Sequence, residues 1–186
     1  MPKIVDHDQR RAAIVAATCD LIASEGLDAA TMRRIAERTG STTGLVTHYF
    51  ESKQAVLVAA LREVHRAAGK RMFAAIASTT RESALRAVVE ESLPLDAPRR
   101  AEWRIWLAFW GQAATDMELG REQHRRYAEW TGLLDEFVSR ADGSTAVDEL
   151  IALIDGVGTR ATLDPDAFPA ERQLALVDRF LVDARA

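Results

Sequence analysis

All four tryptophans of the chain fall between positions 103 and 130. Trp103, Trp106 and Trp110 recur at i, i+3 and i+7 and so share one face of a helix. Ile105 and Phe109 form an adjacent stripe. Trp130 stands one helix further on. Such a stripe has two readings. It is apolar packing, in a core or between subunits, or it is the wall of a ligand cavity. Aromatic faces attract quaternary ammonium groups, and Asp116, Glu118 or Asp155 would add negative charge. The candidate small-molecule contacts are therefore Trp103, Trp106, Phe109, Trp110 and Trp130. Their cavity is expected between this helix and the long one that starts at Lys53.

Residues for covalent or metal chemistry are sparse. There is no glycine-rich phosphate loop, no nucleophile elbow and no metal-spaced cluster. His7, His65 and His124 lack the i, i+4 pairing of a metal site on a helix. Paired carboxylates such as Glu90-Glu91 read as solvated helix surface. Cys19 is the single cysteine, which excludes an internal disulfide framework; on its helix it reads as a small core residue. The expectation is a protein with no catalytic site, no cofactor and no metal.

The second constellation lies at residues 31–53. Two short helices joined by a four-residue turn containing glycine match a helix-turn-helix, whose second helix enters the major groove of DNA. Ala36 is small where the helices cross. Gly40 allows the sharp exit from the first helix. Thr42 caps the second, leaving its positive dipole end turned toward phosphate. Small residues at Thr43 and Gly44 let that end approach base edges closely. The alternative for this pattern is plain helical packing.

These residues need helices to position them, and helical spacing runs through nearly the whole chain. No segment alternates like a strand, so the fold class is all-α, with about nine helices. The pattern predicts a first helix over 8–25 ended by Gly26, then short helices capped by Thr31 and Thr42. A long helix runs from Lys53 to about Ala77, capped by Ser52. Further helices are expected near 81–93, 98–114, 117–140, 145–163 and 168–184. Thr79 with Glu82, and Thr115 with Glu118, have capping-box spacing. Pro94 and Pro98 bracket one connection, and Asp142-Gly143-Ser144 makes another. Residues 1–53 read as a DNA-binding domain and 54–186 as a helical effector-binding and dimerisation domain. Leu150, Ile151, Ile154, Val157, Leu174, Val177, Phe180 and Leu181 give the last two helices long apolar stripes. The expectation is a homodimer through those two helices.

Composition agrees with a soluble helical protein. The 186 residues carry a net charge of −4, with 48% hydrophobic and 28% charged. Residues 1–53 are neutral, seven basic against seven acidic, so the acidic excess lies in the rest. A local basic face on the first segment remains compatible with that average. The longest apolar run, Ala55 to Leu61, is far short of a membrane span, and the N-terminus lacks the apolar stretch of a secretory signal. The expected location is the cytoplasm, with no membrane partner.

The run from Thr31 to Gly40, then Ser41 to Phe50, then Glu51-Ser52-Lys53, resembles the DNA-binding domain of TetR-family transcriptional regulators. The later part resembles the choline-responsive BetI-like branch, in Trp106-Leu-Ala-Phe-Trp110 and in Ile151-Ala-Leu-Ile-Asp-Gly156. The resemblance implies a ligand-responsive regulator, a repressor released from a palindromic operator by a small effector, with a quaternary amine as one candidate. It implies that Thr43 and Gly44 face base edges and that Arg33 reaches a guanine. It places Thr31, Thr42, Thr47, His48 and Lys53 on phosphates, with Tyr49 and Phe50 as core wedges and Lys3, Arg10 and Arg11 as a loose arm near the DNA. The sequence departs from the family at Thr39 and Ser41, where Ala and Val are usual. It departs at Thr47, where a Tyr is common, and at Gly158, where the branch is bulkier. The alternative function is a helical binding protein or enzyme on the same scaffold that does not bind an operator.

Overall fold

The computed structural model describes residues 3–138 and 146–183. The described residues are helical throughout, with no strand among them. The order is α1 (Lys3–Glu25), a single 3-10 turn (Leu27–Ala29), α2 (Met32–Arg38), α3 (Thr43–Tyr49), α4 (Lys53–Ala77), α5 (Arg81–Ser92), α6 (Ala97–Ala113), α7 (Met117–Asp135), α8 (Ala146–Leu163) and α9 (Ala170–Asp183).

Local chemistry sets most of these boundaries. Gly26 has φ +84° and turns the chain out of α1, a backbone region that side chains disfavour. Gly40, at φ +61°, ends α2 the same way. There the Gly40 N–H reaches the Glu37 carbonyl at 3.2 Å and the Ser41 N–H reaches Ala36 at 2.9 Å. Thr31, Thr42 and Ser52 each accept a bond from the backbone N–H three residues on, which opens α2, α3 and α4.

Several expectations shift. The first helix begins at Lys3, so Arg10 and Arg11 belong to its regular turns and not to a loose arm. The Arg11 guanidinium lies 4.8 Å over the Phe50 ring. Neither capping box forms. Thr80 stands at the N-cap of α5 with no side-chain cap bond, and α7 is capped by Asp116, whose Oδ1 accepts from Glu118 and Leu119. A carboxylate at the N-terminus also gains from the helix dipole, so Asp116 outcompetes Thr115. Asp96 caps α6, which places Pro98 inside its first turn and not in the connection. α7 ends at Asp135, and the predicted turn at Asp142-Gly143-Ser144 lies outside the described residues.

Two hydrophobic clusters form. Ile14, Val15, Leu21, Ile35, Ala36, Val46, Phe50 and Val56 close the N-terminal helices on one another. A larger cluster gathers α4 to α9, with Ile22 and Ala30 joining from the N-terminal side. α4 serves both, since Val56 faces the small cluster while Leu57 and Val58 face the large one. Cys19 is half-buried, its thiol 3.7 Å from the Ala60 carbonyl.

The apolar stripes of α8 and α9 do not stand free for a partner. Leu150, Ile151, Ile154, Val157, Val177 and Leu181 are buried within the chain's own core, and Leu174 and Phe180 pack half-buried against it. Stripe length alone cannot separate a face used inside the chain from one used between chains, because both bury apolar area equally. Leu163 and Val182 are the large apolar side chains these helices leave exposed among the described residues.

Candidate functional site: a helix-turn-helix head and an aromatic cavity

α3 presents two faces. Val46 is fully buried and Phe50 closely follows, with Leu45 and Tyr49 half-buried beside them. Thr42, Thr43, Gly44, Thr47 and His48 are exposed on the other side. Gly44 has open space where a Cβ would stand, apart from the Thr42 hydroxyl at 3.9 Å. The Thr47 hydroxyl donates back to the Gly44 carbonyl at 3.0 Å. The His48 ring sits edge-on to Tyr49 at 5.3 Å.

The arginines of α2 divide by environment. Arg34 and Arg38 both pair with Glu25, at 2.6 and 3.3 Å, and tie α2 to the end of α1. Arg33 is exposed and has only a loose 3.7 Å contact with Glu37 one turn on. An exposed pair of that length holds its guanidinium only weakly. Thr31 lies exposed at the head of α2, and Lys53 occupies the first turn of α4 beside the Ser52 cap. The unusual Thr39 and Ser41 have a structural use. Their hydroxyls meet at 2.7 Å, and Thr39 also donates to the Ile35 carbonyl at 3.0 Å, fastening the turn between the two helices.

The second site is a cavity of about 630 Å³ between α4, α6, α7 and α8. Trp103, Trp106, Trp110 and Trp130 all lie on its wall, whereas Phe109 does not. Phe109 is fully buried in the main core with Ile105, four residues before it, so this candidate contact is corrected to core packing. One helix therefore carries two stripes, the tryptophans toward the cavity and Ile105-Phe109 toward the core.

The rings are set at defined angles. Trp103 meets Trp106 at 5.3 Å and 70°, and Trp110 at 5.7 Å and 84°. Trp110 in turn lies over Tyr127 at 6.3 Å and 27°. The Trp103 indole N–H donates to the Ser92 carbonyl at 2.7 Å, which fixes that ring. Gly158 packs beneath it. A Cβ there would lie 2.1 Å from the indole carbons, so the departure at this position is what lets Trp103 occupy its place.

Charge enters from α8. The Tyr127 hydroxyl donates to Asp155 Oδ2 at 2.7 Å. Burial pushes the Asp155 carboxyl above its ordinary range, although the Tyr127 hydrogen bond works the other way. A cation in the cavity would favour its charged form. Asp116 and Glu118 do not line the cavity; Asp116 caps α7 and accepts from Gln54 at 3.1 Å.

Besides Arg126 Nε, which is ion-paired to Glu122, four polar atoms on this wall are buried without a hydrogen-bond partner: Trp106 Nε1, Trp110 Nε1, His65 Nε2 and Gln123 Oε1. In a closed core such atoms are rare because each forfeits its hydration. A cavity wall is where a bound molecule can satisfy them. His65 stacks on Trp106 at 5.7 Å. Burial lowers its pKa to about 4, the nearby Arg126 charge adding to the effect and Glu122 opposing it. Sequence reading passed over His65, Gln123 and Tyr127. Gln123, Tyr127 and Trp130 stand at i, i+4 and i+7 on α7, a spacing that would have pointed to them once Trp130 was chosen.

Behind the cavity, Glu122 links α7 to α4. It is only 6% exposed and accepts two bonds from Arg62, at 3.2 and 3.0 Å, with Arg125 and Arg126 also paired to it. Burial alone would raise its pKa, but the bonds from Arg62 and Arg125 outweigh that and hold it at about 2. With Gln54–Asp116, this clasp joins the cavity wall to the helix that enters the N-terminal head.

Known proteins match both halves of the chain. Residues 14–60 match the model described as bacterial regulatory proteins, tetR family, and residues 81–186 match the BetI-type transcriptional repressor C-terminal domain. The HTH-type transcriptional regulator BetI of Paraburkholderia phymatum is 31% identical, over 97% of this chain and 95% of that protein. A transcriptional regulator from Rhodococcus has the same fold, with a TM-score of 0.87 and 26% identity, covering 94% of this chain and 95% of that one. A regulator from Saccharomonospora viridis, solved in complex with choline, superposes with a TM-score of 0.86 at 22% identity, covering 94% and 96%. The chain is thus matched in sequence along nearly its whole length, and this protein belongs to the TetR family of DNA-binding transcriptional regulators, with a C-terminal domain of the BetI repressor type.

Proposed function

We propose that this chain is a repressor that leaves a palindromic operator when a small organic cation fills the α4–α6–α7–α8 cavity. The observation that carries the reading is the group of Trp103, Trp110 and Tyr127 rings with Asp155 beside them. Ring faces and a half-buried carboxylate attract a quaternary ammonium group more than any anion or neutral solute of its size. The choline complex of the Saccharomonospora regulator supports this choice of ligand class.

In the DNA-bound state, residues 1–53 act as the reading head and 54–186 as the effector and pairing domain. Thr43 and Gly44 approach base edges, and Arg33 reaches a guanine. Thr31, Thr42, Thr47, His48 and Lys53 hold phosphates. Two copies place their α3 helices in successive major grooves, about 34–36 Å apart. The pairing surface is the outer side of α8 and α9, where Ala152, Gly156, Leu163, Ala175 and Val182 are exposed. The small residues let the helices approach closely, and the two apolar side chains bury against the second copy. The cation favours a state whose two heads are wrongly spaced, and α4, clasped to α7 through Glu122, carries the change.

The test is release of a fluorescent fragment of the DNA upstream of this protein's own coding region, titrated with choline and with betaine aldehyde. Release by a quaternary amine, weakened in Asp155→Asn, is the expected result. Operator binding that no quaternary amine disturbs would overturn the ligand assignment. Light scattering of wild type against Leu163→Glu/Val182→Glu tests the pairing surface; a monomeric wild type would remove it.

A further inference from the structure

The cavity is larger than a bare quaternary ammonium head requires. At about 630 Å³ it has the volume of roughly twenty liquid waters and falls in the range of drug-sized ligand sites. Its two ends also differ. The inner end is set by Trp103, which is 2% exposed and meets Trp110, with Asp155 reached through Tyr127. The outer end, between α4 and α7, is an apolar slot formed by Gly69, Phe73, Trp130 and Leu133. Phe73 is 64% exposed there, a large apolar side chain left on the surface at the mouth of a cavity. Arg66 and Lys70 are exposed along the same stretch of the wall.

This arrangement orients a ligand. A cationic head is drawn inward by Asp155, while at the mouth Arg66 and Arg126 already pair with Glu63 and Glu129. Whatever follows it lies in the slot and must be apolar to gain from Phe73, Trp130 and Leu133. Gly69 keeps the slot open, since nothing stands within 4 Å of where its Cβ would be.

We infer that the effector is an amphiphilic cation, a quaternary ammonium head bearing an apolar tail, and not a head group of choline size alone. The inference rests on the cation reading given above and extends it from the head to the whole ligand.

The experiment measures binding by quenching of tryptophan fluorescence, below the micelle concentration of each probe. The probes are choline, tetramethylammonium, and the butyl-, hexyl- and octyltrimethylammonium ions, with octanol as the tail without a charge. Affinity should tighten along the alkyl series by two- to fourfold per methylene, a fully buried methylene being worth about fourfold. Gly69→Leu fills the slot and removes a helix-disfavouring glycine from α4, so the fold should tolerate it. It should weaken octyltrimethylammonium at least tenfold and leave tetramethylammonium unchanged. Phe73→Ala, at the exposed mouth, should weaken only the longer tails. A flat alkyl series with ordinary choline binding overturns the tail and leaves the cation reading standing. So does a Gly69→Leu protein that binds octyltrimethylammonium as wild type does, or one that loses short and long probes equally. Binding of octanol as tight as octyltrimethylammonium, or no binding by any cation, overturns both.

Discussion

Gly158→Ala gives a sharp test of how the cavity is built. A Cβ at this position would lie 2.1 Å from Trp103 Cη2 and Cζ2 and 2.5 Å from Cζ3. Ordinary van der Waals contact begins near 3.4 Å, so the ring or the helix must retreat by more than 1 Å. Neither is free to do so. Trp103 is 2% exposed, its N–H is bonded to Ser92, and its faces and edges meet Trp106 and Trp110. Overpacking of this kind costs about 1–3 kcal/mol, and loss of the Ser92 bond would add about 1 kcal/mol. Replacing a glycine inside α8 by alanine returns about 1 kcal/mol of helix propensity. The net is a destabilisation of about 1–3 kcal/mol, or about 3–10 °C in Tm for a chain of this size. Gly132→Ala serves as the control, because Gly132 is an exposed helical glycine in α7 with nothing within 4 Å of its Cβ position. It should raise Tm by a few degrees or leave it unchanged. Thermal melting followed by circular dichroism compares the two, and cation titration reports the displaced Trp103. A Gly158→Ala protein that melts as high as Gly132→Ala and binds cations as wild type does would refute the packing argument.

Three further outcomes are expected. Lys53→Ala should weaken binding to all DNA sequences about equally and lower the salt slope by about 1, while Arg33→Ala should relax preference at one base position per half-site at about 1–3 kcal/mol; polarisation titrations at several salt concentrations separate them. His65 is held neutral to about pH 4 in the fold, against an ordinary value near 6.5. The unfolded chain therefore binds the extra proton between those values, and stability must rise with pH across that window. His65→Gln should flatten that part of a Tm–pH curve, and an unchanged slope would mean another group carries it. Glu122, held at about 2, contributes stability that is complete above its ordinary range near 4.5 and is lost as pH falls toward 2. Glu122→Gln should remove that acid limb and, at neutral pH, reduce stability by about 1–3 kcal/mol, because Arg62 and Arg125 are half-exposed and can return to water.

The sequence by itself determined the helical class, the head and most helix ends. Helix caps and glycine stops are local: Thr31, Thr42 and Ser52 bond a backbone N–H three residues away, and Gly26 and Gly40 take up backbone angles that others avoid. The exposed set Thr42, Thr43, Gly44, Thr47 and His48 was equally legible, because alternate faces of one short helix follow from spacing. Where two neighbouring residues could cap, as with Thr115 and Asp116, the carboxylate is favoured by the helix dipole. The tertiary structure alone decided what each apolar stripe faces. Trp106 and Phe109 are three residues apart, chemically alike and both buried in the core, yet only Trp106 of the two also lines the cavity. Leu150, Ile154 and Val177 looked like a surface for a second chain and are buried in their own. Burial of an apolar side chain is favourable against any apolar neighbour, so spacing reports that a face is covered and not by what. The same holds for Asp155, Tyr127, His65 and Gly158. They come from three helices and acquire their chemistry only where those helices meet around Trp103, Trp106 and Trp110.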